Sequence, residues 1–155
     1  MLRGYSFETA TKERVTLFPE YEKEIKIYYD RWEDMLGGAI TETVSVLDKL
    51  IKLNQHKIVA LTNWSAETFP IALERYEFLH WFEGIVVSGV EKTRKPFKDI
   101  YDITLKRFNI TPEHSVFIDD NLRNIEAANS LNINGIHFES SEKLIQQLNQ
   151  YNINL

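Results

Sequence analysis

The 155-residue sequence contains no cysteine, and this absence excludes several kinds of site at once. Disulfides, zinc-thiolate sites and cysteine nucleophiles all require the missing thiol. An oxidising compartment is not indicated, so we expect a cytoplasmic protein. The sequence also lacks a run of about 18 apolar residues that could cross a bilayer, and its first residues lack the apolar stretch of a signal peptide. We therefore expect a soluble protein with no membrane partner.

Positive charge is scarce as well. The 18 lysines and arginines are outnumbered by 23 aspartates and glutamates, which gives a formal net charge of -5. No basic stripe stands out, and proteins that bind nucleic acid irrespective of sequence need lysine and arginine to neutralise its phosphates, so no nucleic-acid partner is expected. A small phosphorylated metabolite is compatible with this charge. The 43% hydrophobic content is sufficient for one substantial core.

The first third of the chain has the apolar spacing of a helical pair. Ser6 is suited to cap the first helix, and Pro19 is suited to the first turn of the second. Gly37 and Gly38 interrupt the pattern, and a further helix is predicted from about Thr41. We therefore place a boundary near residue 38.

After this boundary, short apolar runs alternate with amphipathic helices. Continuous apolar runs of this kind are typical of parallel strands that are covered on both faces. We therefore predict a three-layer α/β core over residues 39–155, with a parallel sheet between helices. The four predicted strands are residues 58–61, 85–87, 116–118 and 136–138.

Three of the predicted strands end in polar residues. Ligands of open parallel sheets bind beyond the carboxyl ends of the strands, so these positions are the first candidates for a site. A fourth candidate is Lys95, which precedes Pro96 in the loop that leads to the next helix. The polar strand ends are Thr62 and Asn63, Ser88 and Gly89, and Asp119 and Asp120.

Each candidate has a structural alternative. Adjacent carboxylates form the oxygen-rich site that magnesium prefers, which makes Asp119 and Asp120 the strongest candidates. An acid before a helix, however, often only caps it by accepting backbone hydrogen bonds. Lys95 lies in a charged loop, where a lysine is usually a solvated surface residue. Thr62 and Asn63 are common in turns, where their side chains bond to their own backbone.

The order of the candidate residues along the chain is a more specific indication of function than any single candidate. The sequence has Thr and Asn after a strand, then Lys and Pro before a helix, and then two Asp after a strand. This series resembles motifs two, three and four of the haloacid dehalogenase superfamily. The sequence is similar to one subfamily of haloacid-dehalogenase-like hydrolases over nearly its whole length. This resemblance implies a Rossmann-like core with a helical cap. The segments that carry it are RGYSFE (3–8), WEDMLGG (32–38), LTNWSAETFP (61–70) and GIVVSG (84–89).

The resemblance implies a role for each candidate residue. Thr62 would donate a hydroxyl hydrogen bond to the transferring phosphoryl group, helped by the backbone at Asn63. Lys95 would offset negative charge on the nucleophile and on the phosphate oxygens. Asp120 corresponds to the acid that binds magnesium in the superfamily, and Asp119 to its neighbour. Magnesium is therefore the expected cofactor.

Two further expectations concern the surroundings of this site. Trp64 follows Asn63 at the edge of the site, so we expect it to contact the substrate, whereas Trp32 and Trp81 are expected to pack in the core. Asn124 takes the place of a further aspartate that many members of the superfamily carry. We therefore expect the support of the magnesium site to be altered.

The first motif of the superfamily is missing from this sequence. That motif is a central apolar strand followed by Asp-x-Asp, which supplies the nucleophile and the general acid/base. Of the seven aspartates, all except Asp119 and Asp120 lie in helical patterns. We therefore expect residues 1–38 to be a cap remnant and residues 39–155 to be a core without its first strand. The exposed backbone would then need a separate N-terminal segment, a second copy of the chain or a rearrangement.

These observations favour a magnesium-dependent phosphatase that hydrolyses a small phosphate ester through an aspartyl-phosphate. Because the nucleophile is missing, we expect this chain alone to be inactive. One alternative is a 2-haloacid dehalogenase, but that branch has small uncharged residues where this chain has Asp119 and Asp120. The other alternative is a non-catalytic binding protein that keeps the fold without the nucleophile.

Overall fold

The computed structural model describes residues 6–155. Residues 1–5, which include the first half of the RGYSFE segment, lie outside the described residues. Within residues 6–155, no helix is both long and apolar enough to cross a membrane. The helices are α1 (Phe7–Leu17), α2 (Glu22–Asp30), α3 (Thr41–Leu53), α4 (Phe69–Arg75), α5 (Ser88–Glu91), α6 (Lys98–Phe108), α7 (Leu122–Ser130) and α8 (Ser141–Asn149). The strands are β1 (Ala60–Thr62), β2 (Ile85–Val87), β3 (Val116–Asp119) and β4 (Asn134–His137).

The first helices begin where the sequence predicts. The Ser6 hydroxyl caps α1, because it accepts a hydrogen bond from the Thr9 amide at 3.1 Å. Pro19 begins a short 3₁₀ turn that leads into α2, and α3 begins at Thr41. The predicted helical pair and the helix after it are confirmed. The division of the chain near residue 38 stays a prediction.

The first two helices lie near the carboxyl end of β1. The Phe7 amide donates to the Glu67 carboxylate at 3.1 Å. The rings of Trp32 and Trp64 meet edge to face, with their centroids 6.0 Å apart. Both Trp64 and Glu67 follow β1 in the chain, so the helical segment contacts the region where the candidate site residues lie.

The four strands pair in parallel, as predicted for an α/β core. β1 pairs with β2, and Thr62 lies opposite Val87. β3 pairs with β4, and Asp119 lies opposite His137. In each pair, a candidate site residue is the last residue of its strand.

Two of the predicted strand starts are wrong, and three of the predicted strand ends differ by one residue. β1 begins at Ala60 instead of Ile58, because the Ile58 amide donates to the side chain of Glu83 at 3.2 Å. β4 begins at Asn134 instead of Ile136, because this polar residue also pairs with β3. Apolar content marks the centre of these strands, but their ends depend on the partner of each amide.

Helices cover both faces of the strands. Consecutive strand residues point to opposite faces, and in β4 Gly135 lies against Ile125 of α7 while Ile136 packs with Leu144 of α8. The predicted three-layer α/β core is therefore confirmed. A second core cluster packs α6 and α7 against β2, and its buried members are Val86, Ile100, Tyr101, Ala128 and Ile133.

The sheet is divided between β1 and β3. The four strands described in residues 6–155 form two separate pairs, rather than one continuous sheet. A cavity of about 920 Å³ lies along this division, with walls from both strands and from α3 and α6. We call this cavity the slot, and the residues used to define it are Val59, which directly precedes β1, Leu61 of β1, and Val116 and Ile118 of β3. The expected absence of a central strand from the sequence stays a prediction.

We predict that Gly89→Ala destabilises the fold. The Gly89 amide donates to the Trp64 carbonyl at 2.9 Å, and a Cβ at Gly89 would lie 2.8 Å from that oxygen and closer still to the Ala66 amide nitrogen. Because backbone atoms cannot rotate away, the change is expected to cost about 1–3 kcal/mol of unfolding free energy in urea titrations.

Gly37→Ala is the matched control, since a Cβ at Gly37 meets no atom within 4 Å. Its unfolding free energy is expected to stay within about 0.5 kcal/mol of the parent chain. Equal stability of the Gly89→Ala and Gly37→Ala variants would contradict the close packing between the start of α5 and the turn after β1.

Candidate active site

Lys95 occupies the centre of the candidate site. It lies in the loop between α5 and α6, and only 9% of the residue is exposed. Its ammonium donates to the Asp119 carboxylate at 2.6 Å and to the Leu61 carbonyl at 2.8 Å. The alternative that Lys95 is a solvated surface residue is therefore wrong. Its side chain connects the carboxyl ends of β1 and β3.

Asn63 fixes the backbone of Lys95 from both sides. The Asn63 side-chain oxygen accepts from the Lys95 amide at 2.9 Å, and the NH₂ of the same side chain donates to the Lys95 backbone carbonyl at 3.0 Å. This pair of bonds resembles that between paired strands and needs both halves of an amide side chain. The sequence predicts a backbone contribution from Asn63 but not this side-chain role, because the two residues are 32 positions apart.

Asp119 accepts hydrogen bonds from three donors, and one of them is the Lys95 ammonium that also bonds to the Leu61 carbonyl. Its Oδ2 accepts from the Lys95 ammonium, and its Oδ1 accepts from the Asn121 amide at 2.9 Å and from the Asn124 side chain at 2.8 Å. Asp119 and Asn124 are 8% and 6% exposed, respectively. A buried carboxylate needs such partners, because burial without them is costly.

Helix capping does not account for the acid pair. Asn121 is the N-cap of α7, and its side-chain oxygen accepts from the Arg123 amide at 3.1 Å. Asp119 is instead committed to the buried ion pair with Lys95. Asp120 is exposed, and within residues 6–155 its carboxylate has no hydrogen-bond partner, although its backbone carbonyl accepts from the His137 ring at 2.9 Å.

Thr62 and Trp64 flank this centre. Thr62 is half-buried at the end of β1, and its hydroxyl has no hydrogen-bond partner within the described part of the chain. The Trp64 ring NH donates to the Thr68 hydroxyl at 3.1 Å, and the ring packs between Trp32 and Phe69. Trp64 thus joins the helical segment to the core, and its predicted substrate contact stays a prediction.

Two aromatic residues lie beneath the ion pair. The Phe117 ring centroid is 5.5 Å from the Lys95 ammonium, a distance compatible with a cation–π contact. The Tyr101 hydroxyl donates to the Asn124 carbonyl at 2.8 Å. Burial first, and the Asp119 charge second, raise the pKa of Tyr101 above its usual value. Tyr101 therefore stays a neutral donor at physiological pH.

One acid of the site has the chemistry of a magnesium ligand. Magnesium in proteins is usually held by one or two carboxylates, with water and substrate phosphate oxygens completing the octahedron. Asp120 fits this requirement, because its carboxylate is exposed and open. Both Asp119 oxygens are already bonded, and no group of three or more acidic, histidine or cysteine residues that could hold a metal occurs among residues 6–155. A second carboxylate ligand would have to come from elsewhere.

The arrangement can bind and stabilise negative charge but contains no evident nucleophile. The Lys95 ammonium and the Thr62 hydroxyl are donors suited to phosphate oxygens. Within residues 6–155, Asp119 and Asp120 are the aspartates at this site, and the others lie in helices or 3₁₀ turns elsewhere. The described residues therefore offer donors for an anion but no evident nucleophile.

A three-layer parallel fold with a buried lysine and an acid pair at its strand ends is the arrangement that the resemblance to haloacid-dehalogenase-like hydrolases implies. The sequence profile described as haloacid dehalogenase-like hydrolase matches residues 5–138. The chain therefore belongs to this family, and the resemblance found in the sequence is confirmed.

Two related enzymes are phosphatases. The chain is 30% identical, over 93 residues, to the sesquiterpene phosphatase astK of Aspergillus oryzae; the match covers 60% of this chain and 47% of that enzyme. It is 28% identical, over 89 residues, to the phosphorylated carbohydrates phosphatase of Thermotoga maritima, with 57% of this chain and 41% of that enzyme covered. The matched part thus spans less than half the length of either phosphatase.

A solved structure supports the fold. The crystal structure of a dehalogenase with an intermediate complex superposes with a TM-score of 0.67 at 20% identity, and covers 86% of this chain and 58% of the dehalogenase. At this identity the likeness concerns the fold alone. The α/β architecture is therefore that of the family, whereas the choice between phosphatase and dehalogenase chemistry depends on the site residues.

We predict that Lys95 and Asp119 are strongly coupled in stability. Lys95→Met and Asp119→Asn each leave a buried polar partner uncompensated, so each is expected to cost about 3 kcal/mol of unfolding free energy. The double variant is expected to lose less than the sum of both, with a coupling energy of about 2 kcal/mol in a urea-unfolding double-mutant cycle.

The ion pair between Lys98 and Asp102 is the matched control. It has a similar N–O distance of 2.5 Å, but both side chains are about half exposed or more. The same cycle with Lys98→Met and Asp102→Asn should give a coupling energy below about 1 kcal/mol. Equal coupling in the two cycles would mean that the Lys95–Asp119 pair is no more than a surface contact.

Proposed function

We propose that this chain contributes the phosphate-binding part of a magnesium-dependent phosphatase that acts on a small phosphate ester. The observation that carries the proposal is the difference in environment between the two adjacent acids. Asp119 is buried against Lys95, whereas Asp120 remains exposed with an open carboxylate. The names of the two related phosphatases support the same reaction class. The partner would be a small phosphorylated metabolite.

Lys95, Thr62 and Asp120 would act on the phosphate group of the substrate. The Lys95 ammonium would offset charge that develops on the phosphoryl oxygens, and the Thr62 hydroxyl would donate a hydrogen bond to one of them. Asp120 would hold magnesium, which, when bound, neutralises phosphate charge and orients the ester. Asn63 would act indirectly, because its side chain holds the backbone of Lys95 in place.

The nucleophile of this proposal is an aspartate carboxylate from outside residues 6–155. Its oxygen would bond to phosphorus as the ester P–O bond breaks, and the leaving oxygen would take up a proton. Water would then attack the aspartyl-phosphate, which releases inorganic phosphate and restores the carboxylate. The ion pair with Asp119 and the hydrogen bond to Leu61 keep the Lys95 ammonium at the strand ends, where this chemistry would occur.

Two other functions remain as alternatives with their own observations. A 2-haloacid dehalogenase is favoured by the superposed dehalogenase structure, but the Asp119 and Asp120 pair favours a phosphatase. A non-catalytic binding protein is favoured by the sequence, in which no strand is followed by Asp-x-Asp. Halide release without added magnesium would favour the dehalogenase. Binding of a phosphate ester without any turnover would favour the non-catalytic binding protein.

We predict that the 155-residue chain alone does not hydrolyse p-nitrophenyl phosphate. The carboxylate of Asp119 is committed to Lys95, and Asp120 is assigned to magnesium, so no acid of the described site is left as a nucleophile. The measurement is p-nitrophenol release with and without magnesium. Magnesium-dependent turnover that is lost in Asp120→Ala would contradict this prediction.

Supplying the missing carboxylate should restore activity. The coding sequence upstream would be read for an in-frame strand that ends in Asp-x-Asp, and a protein that includes it should hydrolyse p-nitrophenyl phosphate with magnesium. Asp120→Asn is then expected to lower kcat/KM by about 10- to 100-fold. The control Asp102→Asn, on the exposed face of α6, should retain the parental rate. If no such strand is encoded and no activity appears, the non-catalytic alternative is supported.

A further inference from the structure

The turn after β1 carries four polar side chains, and each already has a hydrogen-bond partner in the protein. Three of these partners are backbone groups, at Lys95, Glu67 and Phe7. The fourth partner is the Trp64 ring NH. The four side chains are those of Asn63, Ser65, Glu67 and Thr68. A polar ligand beside this turn would have to compete with the protein for these groups, whereas an apolar ligand would not.

The Trp64 ring offers carbon, rather than a polar atom, to a ligand. Its single N–H donates to the Thr68 hydroxyl at 3.1 Å, and Thr68 is only 4% exposed. The ring itself stays partly exposed. Its backbone is also held, because the Trp64 carbonyl accepts from the Gly89 amide at 2.9 Å and from the Ser88 hydroxyl at 3.1 Å. A side chain fixed in this way loses little freedom when a ligand packs on it.

Trp32 provides a second aromatic surface beside Trp64. The two ring centroids are 6.0 Å apart, and the ring planes meet at 68°. The rings therefore form a corner instead of a stack, and we call this pair of residues the tryptophan corner. Trp32 is also partly exposed, and it belongs to the 3₁₀ turn that follows α2. A small apolar ring in the corner would contact aromatic carbon on two sides.

The tryptophan corner lies near the proposed phosphate donors. Trp64 follows Thr62 by two residues, so their Cα atoms are at most roughly 7 Å apart. Under the proposed function, the Thr62 hydroxyl and the Lys95 ammonium hold the phosphate of the ester. The first carbons of its alcohol part are then within reach of the Trp64 ring.

Large apolar side chains are exposed in other segments at the same edge of the strands. Val90 follows β2, Phe97 follows Lys95, and Leu122 follows β3. All three side chains are exposed. These segments leave the carboxyl ends of the strands, as the turn that carries Trp64 does. The polar centre of the site is therefore accompanied by apolar surface.

We propose that Trp64 and Trp32 select a phosphate ester whose alcohol part is a hydrocarbon, in preference to a sugar phosphate. The hydrocarbon packs in the tryptophan corner, and the phosphate lies at Thr62 and Lys95. A sugar would bring its hydroxyl groups to aromatic carbon, where their hydrogen bonds to water are lost without replacement. This inference deepens the proposed function and rests on it for the binding of the phosphate.

The test compares two phosphate monoesters of matched shape on the 155-residue chain with magnesium. Cyclohexylmethyl phosphate and glucose 6-phosphate each carry a six-membered ring on a CH₂–O–phosphate group, but only the sugar ring bears hydroxyls. Dissociation constants are measured by titration calorimetry, with inorganic phosphate as the reference. Cyclohexylmethyl phosphate is expected to bind at least about tenfold more tightly than glucose 6-phosphate. Equal binding of the two esters, or tighter binding of the sugar phosphate, overturns the proposal.

Trp64→Ala tests whether the tryptophan corner makes this choice. The variant is expected to bring the two dissociation constants within about twofold of each other, and to leave the affinity for inorganic phosphate within about twofold of the parent. A merely structural role of Trp64 would instead weaken all three ligands alike.

Trp81→Ala is the matched control for this substitution. Trp81 is also partly exposed, but it precedes the amino end of β2, at the opposite edge of the strands. The variant should keep the parental ratio of the two dissociation constants. Loss of the preference in Trp81→Ala as well as in Trp64→Ala would contradict a role specific to the tryptophan corner.

The indole N–H signals of the parent chain give a second measurement that does not depend on the folding of Trp64→Ala. The chain has three tryptophans, so ¹⁵N-labelled tryptophan gives three side-chain N–H signals. Trp32→Phe and Trp81→Phe assign them by elimination. Cyclohexylmethyl phosphate is expected to shift the signals of Trp32 and Trp64 and to leave that of Trp81 in place. Unchanged signals of Trp32 and Trp64 in the bound state overturn the proposal.

Other modes of binding give distinct results. If the hydrocarbon ring enters the slot, Trp64→Ala will keep the preference for cyclohexylmethyl phosphate, and the proposal is overturned while phosphate binding stands. If neither ester nor inorganic phosphate binds, the proposal and the proposed phosphate binding both fail. If cyclohexylmethyl phosphate binds as expected but the upstream-extended protein does not hydrolyse it, the proposed function fails alone.

Discussion

The buried ion pair between Lys95 and Asp119 is the interaction on which the rest of the site depends. Two charges taken out of water carry a desolvation cost that their attraction offsets only when the remaining polar atoms are also bonded. Here Asn63 holds the backbone of Lys95, and Asn124 and the Asn121 amide bond to Asp119. The pair is therefore a network of side chains from four parts of the chain, and its geometry fixes the polar end of the fold.

This network also connects the two halves of the sheet. β1 and β3 share no backbone hydrogen bonds in residues 6–155, yet the Lys95 ammonium reaches the Leu61 carbonyl on one side and Asp119 on the other. The helices on both faces complete the connection by packing. The Lys95 contacts join the two strand pairs at the carboxyl ends of β1 and β3, and apolar contacts with the helices join them along their length. These contacts hold both pairs in one fold although a cavity separates β1 from β3.

The sequence predicted the class of fold better than it predicted the contacts of the candidate site residues. Apolar runs mark parallel strands because both faces are covered, and this rule found all four strands. It could not fix the start of β1, where a Glu83 side chain replaces a strand partner. The burial of Lys95 was also hidden, because its charged neighbours in the chain suggest solvent. The Asn63 contacts depend on tertiary folding and leave no local pattern.

The different environments of Asp119 and Asp120 follow from their being adjacent at a strand end. Side chains of consecutive strand residues point in opposite directions, so the two carboxylates cannot share one set of donors. Asp119 points into the core and meets Lys95, while Asp120 is exposed at the rim of the slot. Because Asn121 already caps α7, neither acid is needed for the helix. The Asp120 carboxylate is therefore open to solvent at the rim of the slot, where it would serve the cation that the proposed function requires.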